Sequence, residues 1–132
     1  MFNITEKDGY LEINRRGSLF ARYVYTGFLK PFLGPVLTAD GHSFTRADDH
    51  NPEHPHQRSV FVGHGEVILE GHLPIDCWNE PKDSGIIEHV RIEALERERF
   101  VAQNLWKSRD GTPCLDERRE FCFADLCGAV EI

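Results

Sequence analysis

Positive charge is scarce in this chain, and long apolar runs are missing. Fifteen Lys and Arg stand against 22 Asp and Glu, a formal net charge of -7. Most of such a surface would repel phosphates, which argues against nucleic acid and against an anionic membrane. No apolar run approaches the ~20 residues that a membrane-crossing helix needs. The opening "MFNITEKDGYLEINRR" has no basic segment followed by an apolar core, so it does not read as a secretion signal. A cytoplasmic protein is expected. The four cysteines, Cys77, Cys114, Cys122 and Cys127, form no Cys-x-x-Cys pair, which argues against a zinc knuckle. Without an export signal they read as reduced, mostly buried thiols. Repeats, low-complexity tracts and linkers are absent too. A length of 132 residues suits one domain, which should bury roughly two-thirds of its unfolded surface.

What the chain does have is turns and alternation. Asp-Gly occurs at Asp8-Gly9, Asp40-Gly41 and Asp110-Gly111. Glycine tolerates positive φ and aspartate bonds its own backbone, so each pair suits a hairpin turn. The flanks are strand-like: "FNIT" and "YLEIN", "PVLT" and "HSFTR", "FVAQNLWKS" and "CLDERREFCFADL". Further strands are expected at "SLFARYVYT", "SVFVG", "EVILEG" and "GIIEHVRIEAL". The one serious helical competitor is "HVRIEALERERFVAQNL". Val90, Ile92 and Ala94 alternate there, which favours strand. The fold expected is all-β, an antiparallel β-sandwich of jelly-roll or supersandwich type. Residues 1–132 would form that single domain, either complete or finished by strands from a partner.

The irregular segment from Ala47 to Gln57 leads into "HPHQRSVFVGHG", so that His50, His54, His56, His64 and Arg58 fall close together. Loops on a rigid scaffold commonly carry function. Pro55 disfavours the α region for His54, so "HPHQR" should start extended, with His54, His56 and Arg58 on one face and Gln57 on the other. Two imidazoles could chelate a divalent metal, completed by Glu53, Glu66, Asp76 or His64. Arg58 opposes that reading, because a fixed guanidinium repels a nearby cation. Imidazoles beside an arginine better suit a carboxylate, phosphate or enediolate oxygen, and histidine can move a proton near neutral pH. A polar structural loop remains the third reading. The cupin pattern fits only in part, since Val60 and Phe61 occupy its glutamate region and Glu66 comes too late.

Elsewhere plainer readings lead. Trp78 and Trp106 read as core or cross-strand aromatics before sugar platforms. His89 is placed on the face opposite Val90 and Ile92, as a solvent-facing or pocket group. "DERRE", Asp116 to Glu120, reads as a solvated strand with cross-strand ion pairs. His42 and His72 sit beside turn glycines and carry little.

"KPFLGPVLTADGHSFTR", "HPHQRSVFVGHG", "DCWNE", "SGIIEH" and "LWKSRDGTPCLDERREF" follow one another in an order that resembles the PmoA-like proteins. These are bacterial proteins of unknown function labelled "methane oxygenase PmoA", and the resemblance runs from about Leu19 to Phe123. By position it implies Lys30, His54, His56, Arg58, Trp78, His89 and Glu117 as site residues. Two positions depart from the pattern. Gln57 stands where a second consecutive histidine is usual, and Ser59 where glycine is usual. The resemblance also implies a chain commonly about twice as long, of which this would be a short member or an N-terminal portion. Methane oxidation itself is not expected, for the particulate enzyme is a membrane copper system and no copper pattern is present.

Three functions are therefore carried forward. In the first, the protein binds or acts on a small oxygen-rich ligand such as a sugar derivative. His54, His56, His89 and Glu117 would then be the catalytic candidates, and Lys30, Arg58 and Trp78 the ligand-binding ones. No cofactor is required, and no metal residue is assigned. The second is a metal-dependent oxidoreductase with His54 and His56 as ligands, and the third a carbohydrate-binding or assembly module. Self-association into a homo-oligomer is expected, because a half-length sandwich leaves strand edges to be covered.

Overall fold

A computed structural model describes residues 1–46, 53–126 and 129–132. Ten strands and no helix are found among them. A five-stranded sheet has the order β1-β2-β3-β4-β5: Phe2–Lys7, Tyr10–Arg15, Ser18–Val24, Phe32–Val36 and Val60–Phe61. Opposite it lies a three-stranded sheet of Ile86–Leu95 (β6), Arg99–Lys107 (β7) and Pro113–Cys122 (β8). Ala124–Leu126 (β9) and Ala129–Glu131 (β10) pair with each other. Every strand pairing is antiparallel.

The two large sheets close on each other through their alternating apolar faces. Phe2, Leu11, Ile13, Phe20, Tyr23 and Leu33 of the first pack against Phe100 and Ala102 of the second. Phe100 stacks on Phe121 with ring centroids 5.0 Å apart. A smaller cluster of Ile75, Cys77, Ile87 and Trp106 lies under the loop that precedes β6. The fold is the expected antiparallel all-β sandwich, and the helical alternative at residues 89–105 resolves into β6, a short turn and β7.

All three Asp-Gly glycines adopt positive φ: +84° at Gly9, +85° at Gly41 and +93° at Gly111. A fourth turn gave no such signal. Arg16 and Gly17 both have positive φ, 52° and 86°, in the two-residue loop joining β2 to β3, with Arg15 opposite Ser18. This is a type I′ geometry built without the usual asparagine or aspartate.

Three expected strands shrink. "HSFTR" makes only the isolated bridge Leu37–Ser43, and "EVILEG" only Val67–Ile75. "SVFVG" is reduced to Val60–Phe61. Near Ser43 the side chains replace the ladder: the Ser43 hydroxyl bonds the Thr45 carbonyl, and Thr45 Oγ1 accepts the Val36 N–H. A register shift in β6 between His89 and Arg91 corrects half of the expected facing of His89: Val90 lies opposite it as expected, but Ile92 does not. That bulge turns exposed Val90 outward and leaves His89 and Ile92 both facing the first sheet, because one extra residue resets the two-residue period.

Candidate functional site

Lys30 stands just before β4, on a segment held against the second sheet. The Ile87 N–H donates to the Leu29 carbonyl at 2.8 Å, and Arg119 Nη1 donates to the Pro31 carbonyl at 3.2 Å. The ammonium is consequently buried, with 2% of the side chain accessible. It donates to the Trp78 carbonyl, lies 3.7 Å from Glu80 Oε1 and sits 4.8 Å from the centre of the Phe61 ring. Burial pushes its pKa below the ordinary lysine value, with Arg58 adding and Glu80 opposing.

The histidine block approaches the same carboxylate, but not as an extended strand. The Gln57 N–H donates to the His54 carbonyl at 3.2 Å, closing a four-residue turn across His54-Pro55-His56-Gln57. Pro55 occupies the second position, where its fixed φ suits common turn types. The extended expectation is thus corrected, because a proline that limits its predecessor also initiates a turn. The two imidazoles still meet, with ring centroids 5.9 Å apart, and Gln57 is exposed. The His56 pKa lies below the ordinary value through burial, then Lys30 and His54. Ser59 adopts φ of 57°, in the left-handed region that favours glycine, and its hydroxyl meets that of Thr45.

Arg58 is already engaged. Its guanidinium reaches Glu80 at 3.2 and 3.5 Å and lies 4.5 Å from the centre of the Phe28 ring. Opposite, Asp76 Oδ1 accepts the N–H groups of Trp78 and Asn79, each at 2.9 Å, and Oδ2 accepts the Asn79 amide. Burial raises the Asp76 pKa, but those three hydrogen bonds and Lys30 outweigh it, so the net shift is downward. This small turn aims the Trp78 carbonyl at Lys30 and leaves the residue 42% exposed, its ring centre 5.1 Å from that of Phe61. Trp78 is therefore an edge aromatic, whereas Trp106 is buried as a core residue.

His89 and Glu117 belong to a second polar group on the inner face of β6–β8. His89 Nδ1 lies 3.3 Å from Asn104 Oδ1, and Asn104 Nδ2 donates to Glu117 Oε1 at 3.4 Å. Glu117 also accepts from the Trp106 indole and from buried Arg119. His89 stacks on Tyr25 at 4.2 Å, and burial lowers its pKa. The Tyr23 hydroxyl, fully enclosed, has no aligned hydrogen-bond partner, although Asn104 and Arg119 lie near enough to favour its ionisation. Burial outweighs both and pushes its pKa up. "DERRE" is thus solvated on one face only. Arg118 and Glu120 pair outward with Glu93 and Arg99, while Glu117 and Arg119 turn inward.

Lys30, Arg58, Trp78 and His56 are thus gathered around Glu80, while His89 and Glu117 share Asn104. Arg119 joins the two groups through the Pro31 carbonyl. Glu80, Asn104 and Arg119 were not singled out in the sequence. The one available signal was Glu80, lying in "DCWNEP" beside Trp78. Among the described residues no group of three or more His, Cys, Asp or Glu side chains is arranged to hold a metal ion. Of the suggested completing ligands, Asp76 is engaged as described and His64 Nδ1 accepts the Glu66 N–H at 3.1 Å. His50 lies outside the described residues.

No curated protein and no solved structure gives a match to the chain. A family model does, over residues 10–130: DUF6807, a family of unknown function. The chain belongs to that family.

Proposed function

We propose that this DUF6807 protein binds, or acts on, a small oxygen-rich ligand such as a sugar derivative at the Lys30–Glu80–Arg58 end of the sandwich. One observation carries the reading. Lys30, Arg58 and Glu80 form a buried charged framework; the adjacent imidazoles of His54 and His56 lie within its field, and Trp78, whose carbonyl accepts from Lys30, stands partly exposed against Phe61. Neutral imidazoles present a donor and an acceptor each, and so suit hydroxyl groups. The indole offers an apolar face on which a ring can stack. With its pKa lowered, His56 is neutral at pH 7 and able to accept a proton from a bound hydroxyl.

Arg58 takes a different role from the one expected of it. Its guanidinium already pairs with Glu80, so it shapes the site before it grips any anion. Lys30, buried beside the same carboxylate, does likewise. Ligand contact then falls to His54, His56 and Trp78, with His89 and Glu117 in the second polar group around Asn104. The likeness to PmoA-like proteins is part of this proposal and implies the same residues.

Soaking or titration with a panel of sugars and sugar acids tests the reading. Binding that quenches Trp78 fluorescence and vanishes in His56→Ala supports it, whereas no response across the panel overturns it. The same proposal places the protein in the cytoplasm as a homo-oligomer. No helix of the described residues is long and apolar enough to cross a membrane. Both β6 and β8 are edge strands of their sheet. Light scattering that finds only monomer at micromolar concentration would remove the oligomer.

A further inference from the structure

We propose a second binding site, sharing no lining residue with the Lys30 group, that takes a free single-chain anionic amphiphile, a medium-length carboxylate, in the groove beside the β2–β3 turn. The groove has an open volume of about 450 Å³, within the roughly 300–1,000 Å³ range of small-molecule sites. Phe20 and Val36, both buried, form its floor; Leu37, Val60, Val130 and Phe44 form its sides. Phe44 is 73% exposed and Val60 41%, so the rim is apolar and uncovered among the described residues. Burial of an acyl chain against these side chains would remove apolar surface from water on both partners.

Charge gives the groove a polar end. A narrower cleft continues from it, sharing Arg15, Phe20 and Leu37 and adding Arg16 and Ser18. Arg15 Nε donates to Asp125 Oδ1 at 2.6 Å, whereas Arg16 Nε stays 3.8 Å from Oδ2 with its side chain 72% exposed. The Met1 amino group and Arg15 hold the Asp125 carboxyl at a pKa of about 2, so it is ionised at neutral pH. Two guanidiniums thus face one carboxylate, a local surplus of positive charge on a chain whose net charge is -7. An anion at Arg16 with an apolar tail along Leu37 and Phe44 satisfies both ends. A neutral apolar molecule would leave the cationic end unused, and a hydrophilic anion would leave the groove uncovered.

Calorimetric titration of the full chain with hexanoate, octanoate and decanoate, below their micellar concentrations, tests the site, with decanol as the uncharged control. Affinity is expected to rise by up to about fourfold per methylene until the groove is filled. Arg16→Asn should weaken decanoate by about threefold and leave decanol unchanged. This variant keeps the turn, because Asn-Gly is the preferred pair for its geometry. Phe44→Ser should weaken both ligands. The proposal is overturned if decanoate binds no tighter than hexanoate, or if Arg16→Asn affects decanoate and decanol alike. It is overturned equally if light scattering shows a dimer that excludes decanoate, since a second copy would then be the occupant.

Discussion

The Arg58 guanidinium meets the Glu80 carboxylate at 3.2 Å where only 8% of the glutamate side chain is open to solvent. The Lys30 ammonium lies 3.7 Å from the same carboxylate. Removing the shared negative charge would leave two enclosed cations facing each other. Glu80→Gln is expected to lower the unfolding free energy by about 3 kcal/mol, measured by urea titration. A loss below ~1 kcal/mol would show that Glu80 does not hold the framework together.

His56 and Gln57 are neighbours with opposite expected consequences. His56 lies beside Lys30 and the His54 ring, while Gln57 is exposed at the end of the turn. His56→Ala should abolish sugar binding and leave the thermal midpoint within about 2 °C of the parent, since little apolar area is lost. Gln57→Ala should change neither quantity. Equal losses of binding in both variants would mean that the turn matters and the imidazole does not.

His89 makes stability depend on pH. Its folded pKa is lowered by burial, whereas in the unfolded chain it titrates near 6.5. Below that pH the unfolded state binds more protons, so acid favours unfolding. The stabilising difference is complete above about pH 6.5 and is lost as pH falls through and below it. The midpoint should therefore drop between pH 7 and 5, and drop less in His89→Gln. Parallel slopes for the two proteins would refute the coupling.

Arg16 is strained by its φ of 52°. Asparagine tolerates that region better, and the contact to Asp125 that would be lost is long and exposed. Arg16→Asn should raise the unfolding free energy by about 0.5–1 kcal/mol. A lower midpoint in differential scanning calorimetry would show that the arginine side chain matters more than its backbone.

The sandwich was legible because its long strands announce themselves twice. Phe100, Ala102, Asn104 and Trp106 alternate in the sequence and line one face in the structure. Asp-Gly likewise marked turns whose glycines do take positive φ. The short pieces were less legible. Val60–Phe61 depends on its distant partner β4, whereas Leu37–Ser43 and Val67–Ile75 are single local bridges, supplemented near Ser43 by side chains that substitute for ladder hydrogen bonds. A similar limit applied to the site. Pro55 both extends the residue before it and suits the second position of a turn, and the sequence alone does not say which of the two wins. The facing of His89 required a bulge that alternation cannot reveal. Glu80 offered only its place beside Trp78, since its importance lies in Lys30 and Arg58, which approach it from 50 and 22 positions away.

The bond from Arg119 to the Pro31 carbonyl has a mechanical consequence. It fastens the backbone adjoining Lys30 to β8, so that a shift of the Lys30 segment strains this bond. A molecule that pulls on the Lys30 side loads the Arg119 guanidinium and, through it, Glu117 and Asn104. Occupancy at the edge of one sheet would therefore be felt as slower amide exchange in the centre of the other.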